Sequence, residues 1–235
     1  MTSTASNGEI DEVTAGGADV EEITAGGNVV WTSETLVEDF EHNDLNGRYD
    51  VNAPNMKISS GNAYWDTYKL DIPESSSGGR VPVSSLSPYN EVCESGRTYR
   101  VPFQWPTNDG GSPRADFYIV PPGVANPQHD QGYAFEWRAD NNTFLVEEWF
   151  NGTLFDSSST SFPSLSYGNY HYLEVSYLNG NDAGSNTVRG RLINSSGSTL
   201  RSLSVGDQRP TPAGWAWREH WGYDTTFIGG IEVLD

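Results

Sequence analysis

The feature that most constrains this chain is a period of two. Tyr170-His171-Tyr172-Leu173-Glu174-Val175-Ser176-Tyr177 alternates without interruption. On a strand that puts Tyr170, Tyr172 and the other even positions on one face and the odd positions on the other. Similar runs, bounded by Gly, Pro, Asn and Ser clusters, occupy residues 36–41, 63–70, 99–105, 115–120, 132–138, 144–150, 188–193, 199–203 and 226–234. Asn151-Gly152 is a hairpin signal, because both residues adopt positive φ readily. Ser195-Ser196-Gly197 marks a second turn. The Ser/Gly/Pro-rich stretch from Ser75 to Pro88 reads as loop, as does 215–223 ahead of the last strand. No segment carries an apolar stripe at helical spacing. The expected fold is therefore all-β, and 235 residues suit one sizeable sandwich with a small appendage. Leu and Ile are scarce, so eight Trp, nine Phe and twelve Tyr must fill the core.

The appendage is repetitive. Glu12-Val13-Thr14-Ala15-Gly16-Gly17 recurs as Glu22-Ile23-Thr24-Ala25-Gly26-Gly27. Ile10, Val20 and Val30 share one position of the ten-residue unit, Val13 and Ile23 another, and Trp31 closes the series. Short β-branched runs broken by Gly-Gly read as strands joined by tight turns. So few short strands cannot build an independent core and must stack on copies of themselves or on the main domain. Residues 1–33 are thus expected to form an attachment or oligomerisation segment, and residues 34–235 the main domain.

Charge narrows the function. Asp and Glu number 32 against 13 Lys and Arg, a net charge of −19, and Lys57 and Lys69 are the only lysines. Such a surface repels itself in dilute buffer and is relieved by salt, since the Debye length falls to about 3 Å at 1 M. With no basic patch to displace counterions, nucleic acid and anionic membranes are poor partners. Few lysines, many carboxylates and abundant Gly, Ser and Thr resemble the proteins of haloarchaea and their viruses. Cys93 stands alone, so no intrachain disulfide can form. The N-terminus lacks the basic start and apolar run of a signal peptide, and no apolar stretch reaches membrane-spanning length, so membrane insertion is not expected.

The order of the strands resembles the laminin G-like, concanavalin A-like jelly roll. Val37-Glu38-Asp39-Phe40-Glu41, Gly132-Tyr133-Ala134-Phe135, Tyr170–Val175, the 188–203 hairpin and the closing Ile228–Val233 run carry that likeness. It implies a two-sheet antiparallel sandwich over residues 34–235 whose first and last strands pair, bringing Phe40 near Ile231. The repeat, ending in Asn28-Val29-Val30-Trp31, is similar to N-terminal segments of tail-fibre and other structural proteins of tailed viruses. That second likeness implies attachment through Ile10, Val13, Val20, Ile23, Val30 and Trp31.

The carboxylates do not form a catalytic motif. Retaining glycoside hydrolysis needs two carboxyls about 5–5.5 Å apart. Glu9-Ile10-Asp11-Glu12-Val13 begins like the acidic motif of glucanases with this fold but has Val13 and Thr14 where the last acid belongs. Adjacent Glu147 and Glu148 face opposite sides of a strand, and Glu136 stands alone beside Trp137. No enzyme is expected. His42, His129, His171 and His220 lack metal-ligand spacing. The jelly-roll resemblance implies calcium as the ion most often carried, and Asn181, Asp182 and Asn186 offer oxygens in a turn-rich loop, without the spacing of a dedicated cage. No cofactor is required. Trp215, Trp217, Arg218, Glu219, Trp221 and Tyr223 form the densest aromatic and polar cluster and are the sequence's candidate glycan site; packing at a sandwich edge or subunit interface explains them as well. Asn141, Asn151 and Asn194 lie in glycosylation sequons.

Together these readings give a virion surface protein of a haloarchaeal tailed virus, a turret, spike or fibre. It would be assembled as a trimer or pentamer with other virion proteins and would contact a host surface glycan or surface-layer glycoprotein. A cellular or secreted glycan-binding protein, less readily a glycoside hydrolase, is the alternative. A capsid decoration protein with a purely stabilising role is the third.

Overall fold

A computed structural model shows a chain of strands, with no helix among the described residues. The structure describes residues 40, 56–64, 67–72, 98–106, 114–120, 132–139, 141–176, 187–206, 215–217 and 225–234 with side chains. For the remaining strand residues it describes the backbone alone. Two compact units emerge, residues 1–35 and 36–235.

The first unit holds β1 (Thr2–Ser6), β2 (Glu9–Ala15), β3 (Ala18–Asp19), β4 (Glu22–Ala25) and β5 (Asn28–Thr32). β1, β2 and β3 form an antiparallel sheet, and β4 and β5 a hairpin. Ala15 pairs with Ala18 and Ala25 with Asn28, so each Gly-Gly of the repeat falls between paired residues.

The second unit is the sandwich. Its strands are β6 (Thr35–Glu38), β7 (Tyr49–Val51), β8 (Lys57–Ser60), β9 (Tyr68–Ile72), β10 (Pro82–Ser85), β11 (Thr98–Gln104), β12 (Arg114–Val120) and β13 (Gly132–Arg138). Then come β14 (Thr143–Phe150), β15 (Thr153–Ser161), β16 (Tyr170–Leu178), β17 (Asn186–Ile193), β18 (Thr199–Asp207), β19 (Gly214–Arg218), β20 (Thr226–Ile228) and β21 (Ile231–Leu234). One sheet runs β15-β14-β13-β12-β19-β10-β7; the other runs β18-β17-β16-β11-β20-β9-β8, with β21 beside β11 and β6 beside β21. This is a two-sheet antiparallel jelly roll. The first sandwich strand pairs with the last, and Phe40 and Ile231 both lie in the core.

Alternation explains the core. Phe117, Phe135, Trp137, Phe144, Val146 and Trp217 point inward from the first sheet, and Val101, Phe103, Leu173, Val188, Leu192 and Ile231 from the second. Phe103 meets Trp137 across the gap at 4.8 Å between ring centroids, and Phe117 meets Trp217 at 4.8 Å. Each such ring contributes about 1.5–3 kcal/mol by leaving water. Gly190 of β17 makes room for two further rings: a Cβ there would lie 2.9 Å from Phe144 Cζ and 3.0 Å from Phe135 Cδ1.

The structure corrects the strand reading in several places: the expected 63–70 strand is β9, Tyr68–Ile72, and β7 and β8 lie where no strand was expected. The expected 226–234 strand is broken into β20 and β21. Both pair with β11, and the break falls beside Pro102, whose oxygen accepts from Gly229 N at 2.8 Å. A proline has no N–H to offer a neighbouring strand, so the ladder is interrupted there. β10 lies inside the stretch read as loop, and β19 occupies the start of the other expected loop. β15, TLFDSSSTS, is absent from the expected set because it has no apolar alternation; its hairpin with β14 makes it a strand. Both outer strands at that end of the sandwich are tied by side chains: Asp156 accepts from Ser157 N and from Gly206 N of β18, and Arg201 donates to Ser161 O.

Candidate functional site

The outward face of the first sheet gathers the chemistry. Register places Glu147, Ala134, Tyr118 and Ala216 in one row across β14, β13, β12 and β19. Leu145, Glu136 and Asp116 form the next row, and Trp149 lies opposite Gly132 on the other side. Gly132 is buried, and Ala134 packs with Tyr118, Val120 and Ala216 in a small buried cluster on this face.

Arg114 bridges the two acids of its row: Nε lies 3.3 Å from Asp116 Oδ1, and a terminal nitrogen contacts Glu136. Arg138 Nε pairs with Glu136 Oε1 at 2.9 Å, and the Tyr118 hydroxyl donates to Asp116 Oδ2. Asp116 is 1% exposed and fully engaged, whereas the Glu136 and Arg138 side chains are 12% and 26% exposed. Burial, and then the charge of Asp116, push the Glu136 carboxyl up to about 7 against the pull of Arg114 and Arg138. Beside them Trp149 Nε1 donates to Glu147 Oε2 at 2.9 Å, which fixes a half-buried indole next to a half-buried carboxylate. An aromatic face beside fixed acceptors is the arrangement that holds a polyol ring: apolar C–H groups against the ring, hydroxyls to the carboxylate.

The outward face of the second sheet is organised differently. Arg100 sits between Glu174 and Glu232, at 2.9 and 3.2 Å, and Arg191 also reaches Glu174. Both acids are 3% exposed. Tyr64 packs edge-on against Tyr170 and Tyr172, with centroids 5.1 and 5.8 Å away. It is seated on Gly229, where a Cβ would stand 2.5 Å from the Tyr64 Cβ. Burial pushes the Tyr64 and Tyr170 phenols up, so both stay neutral donors. This is a closed network that pins residues 61–64 to the sheet.

The glycan site expected from sequence is corrected in part. Trp215 and Trp217 are 6% and 0% exposed, on an inner strand between β12 and β10, and the Trp217 Nε1 is buried without a hydrogen bond. Their period-two spacing turns both rings into the core instead of toward a ligand. Arg218 ends β19 opposite Pro82, while Glu219, Trp221 and Tyr223 lie outside the described residues. Ile10 and Val13 fall in β2, Ile23 in β4, and Val30 and Trp31 in β5, with Ile23 paired to Trp31; Val20 is outside the described residues. Asn186 opens β17, and Asn181 and Asp182 are outside the described residues. Among the described residues no three His, Cys, Asp or Glu side chains come together in a group that could hold a metal ion. His171 is 1% exposed. Its Nε2 lies 2.8 Å from Ser166 O, and burial lowers its pKa. Glu136, read as solitary, faces Asp116 across β12 and β13, a pairing that 20 residues of separation concealed. Glu147 and Trp149 were missed as a unit. Their signal is the two-residue spacing on an alternating strand.

No protein-family model matches the sequence, and no curated protein matches it. Solved structures do. The legume lectin-like domain from Entamoeba histolytica aligns with a TM-score of 0.57 at 8% identity, covering 81% of this chain and 91% of that one. The carbohydrate esterase vb_24B_21 from Shiga toxin-encoding bacteriophage phi24B aligns with a TM-score of 0.56 at 11% identity, covering 85% and 98%. The cellulose-induced protein Cip1 gives 0.50 at 14% identity, covering 84% and 95%. At these identities the likeness is one of fold.

Proposed function

We propose that this chain is a carbohydrate-binding jelly-roll module that holds a glycan on the outward face of its first sheet. The observation that carries the reading is the Trp149–Glu147 pair, an aromatic platform with a carboxylate locked beside it. The fold, shared with a legume lectin-like domain, agrees with it. Binding is without turnover. Asp116 is buried and holds the Arg114 guanidinium together with Glu136, so this acid pair is closed around a cation instead of facing a scissile bond. The test is a glycan-binding survey in molar KCl with the full chain and Trp149→Ala. The bound oligosaccharide should lose at least tenfold in affinity, about 1.4 kcal/mol, with no new reducing ends released. Unchanged affinity in the variant overturns the site, and release of reducing ends overturns the absence of turnover.

The finer reading places this module on the surface of a haloarchaeal tailed-virus particle. Its support is the acidic composition and the paired strands of the N-terminal repeat. It predicts a trimer or pentamer held by residues 1–35.

A further inference from the structure

Resting on the glycan-binding reading, we infer that the ligand is an uncharged, hydroxyl-rich glycan and that the site excludes uronate- and sulfate-bearing ones. A carboxylate or sulfate leaving water needs a site with an excess of positive charge. The two guanidinium groups described on this face are outnumbered by its three carboxylates, Asp116, Glu136 and Glu147. Arg114 joins Asp116 to Glu136 with its side chain 10% exposed, and Arg138 is paired with Glu136. A ligand anion drawn to either guanidinium would stand beside Glu136, whose carboxyl is already pushed up by burial and by Asp116.

Among the described residues, the charged group beside the aromatic platform is Glu147, which is negative. Glu147 gives one oxygen to the Trp149 indole and keeps its other acceptor positions for donors. A sugar stacked on Trp149 therefore presents its substituents to a carboxylate. Hydroxyls donate to it; a sulfate or uronate is repelled by it at close range. The net charge of −19 adds repulsion at longer range whenever salt is low. Local and global electrostatics thus select the same ligand class.

The experiment titrates the full chain, in molar KCl and again in dilute buffer, with neutral hexose oligomers, N-acetylhexosamine oligomers, oligouronates and sulfated oligosaccharides of equal length. Neutral ligands should bind, with uronates and sulfates at least tenfold weaker in molar salt and weaker still in dilute buffer. Glu147→Lys should reverse the order, losing the neutral ligand and gaining the uronate. Uronates or sulfates binding as tightly as neutral oligomers overturns the charge class while leaving glycan binding standing. Binding of none of the four overturns the glycan reading itself.

Discussion

Glu136 is the residue whose surroundings leave the clearest mark on bulk behaviour. Burial and Asp116 push its carboxyl up to about 7, above the value near 4.5 of an unfolded glutamate. Between those two values the folded chain holds a proton that the unfolded chain releases. Stability contributed by this group is therefore complete below about pH 4.5 and is lost as pH rises toward 7. Glu136→Gln removes the titration. Subtracting its urea midpoints from those of the parent chain, measured from pH 5 to 8 at fixed salt, should give a difference that falls with pH and levels off above about 7. A flat difference would mean that Arg114 and Arg138 outweigh burial, and that Glu136 is an ordinary salt-bridged carboxylate. Asp116 shares the Arg114 guanidinium, so the midpoint of that fall belongs to the pair and not to one acid.

At the scale of elements, β17 shows how closely the two sheets are fitted. Gly190 faces inward between Val188 and Leu192, under the rings of Phe144 and Phe135 and beside Val146. Gly190→Ala should destabilise the sandwich by about 1–3 kcal/mol, because both rings sit in a packed core with no room to retreat. Equilibrium unfolding reads that loss directly; a neutral substitution would show a looser core than these distances describe. The inward place of Gly190 was visible in the alternation Val188-Arg189-Gly190-Arg191-Leu192, as were β13 and β16, because both faces of those strands write themselves into the sequence. β15 was not visible, since a Ser/Thr-rich edge strand has no apolar face to announce it and takes its conformation from β14. β19 was misread for the opposite reason. Trp215-Ala216-Trp217 alternates well, yet whether two tryptophans point into a core or toward a ligand depends on β12 and β10, which lie far away in sequence. The site divides in the same way. Glu147 and Trp149 are two residues apart on one strand and could have been paired by eye, whereas Asp116 and Glu136 meet only through a register that no local pattern encodes.

For the whole molecule the governing quantity is charge, and its distribution separates assembly from folding. The chain carries −19 overall, and its first 35 residues contain seven carboxylates and neither Lys nor Arg. If copies assemble through that segment, each contact brings like charges together with no cation of the segment to offset them. Assembly should therefore depend on screening more steeply than the sandwich does, whose core is aromatic and whose ion pairs are internal. Native mass at about 2 M KCl should show a trimer or pentamer for the full chain and a folded monomer for a chain beginning at Leu36. On lowering the salt toward about 0.1 M, the full chain should fall apart to monomers before either chain unfolds, and the melting temperatures of the two should decline together. A full chain that is already monomeric at 2 M KCl removes the reason for placing this module on a particle surface. An oligomer that persists in the chain beginning at Leu36 moves the assembly contact into the sandwich. In both cases the test of Trp149 and Glu147 is unaffected, because the glycan site is built within residues 36–235 and requires no second copy.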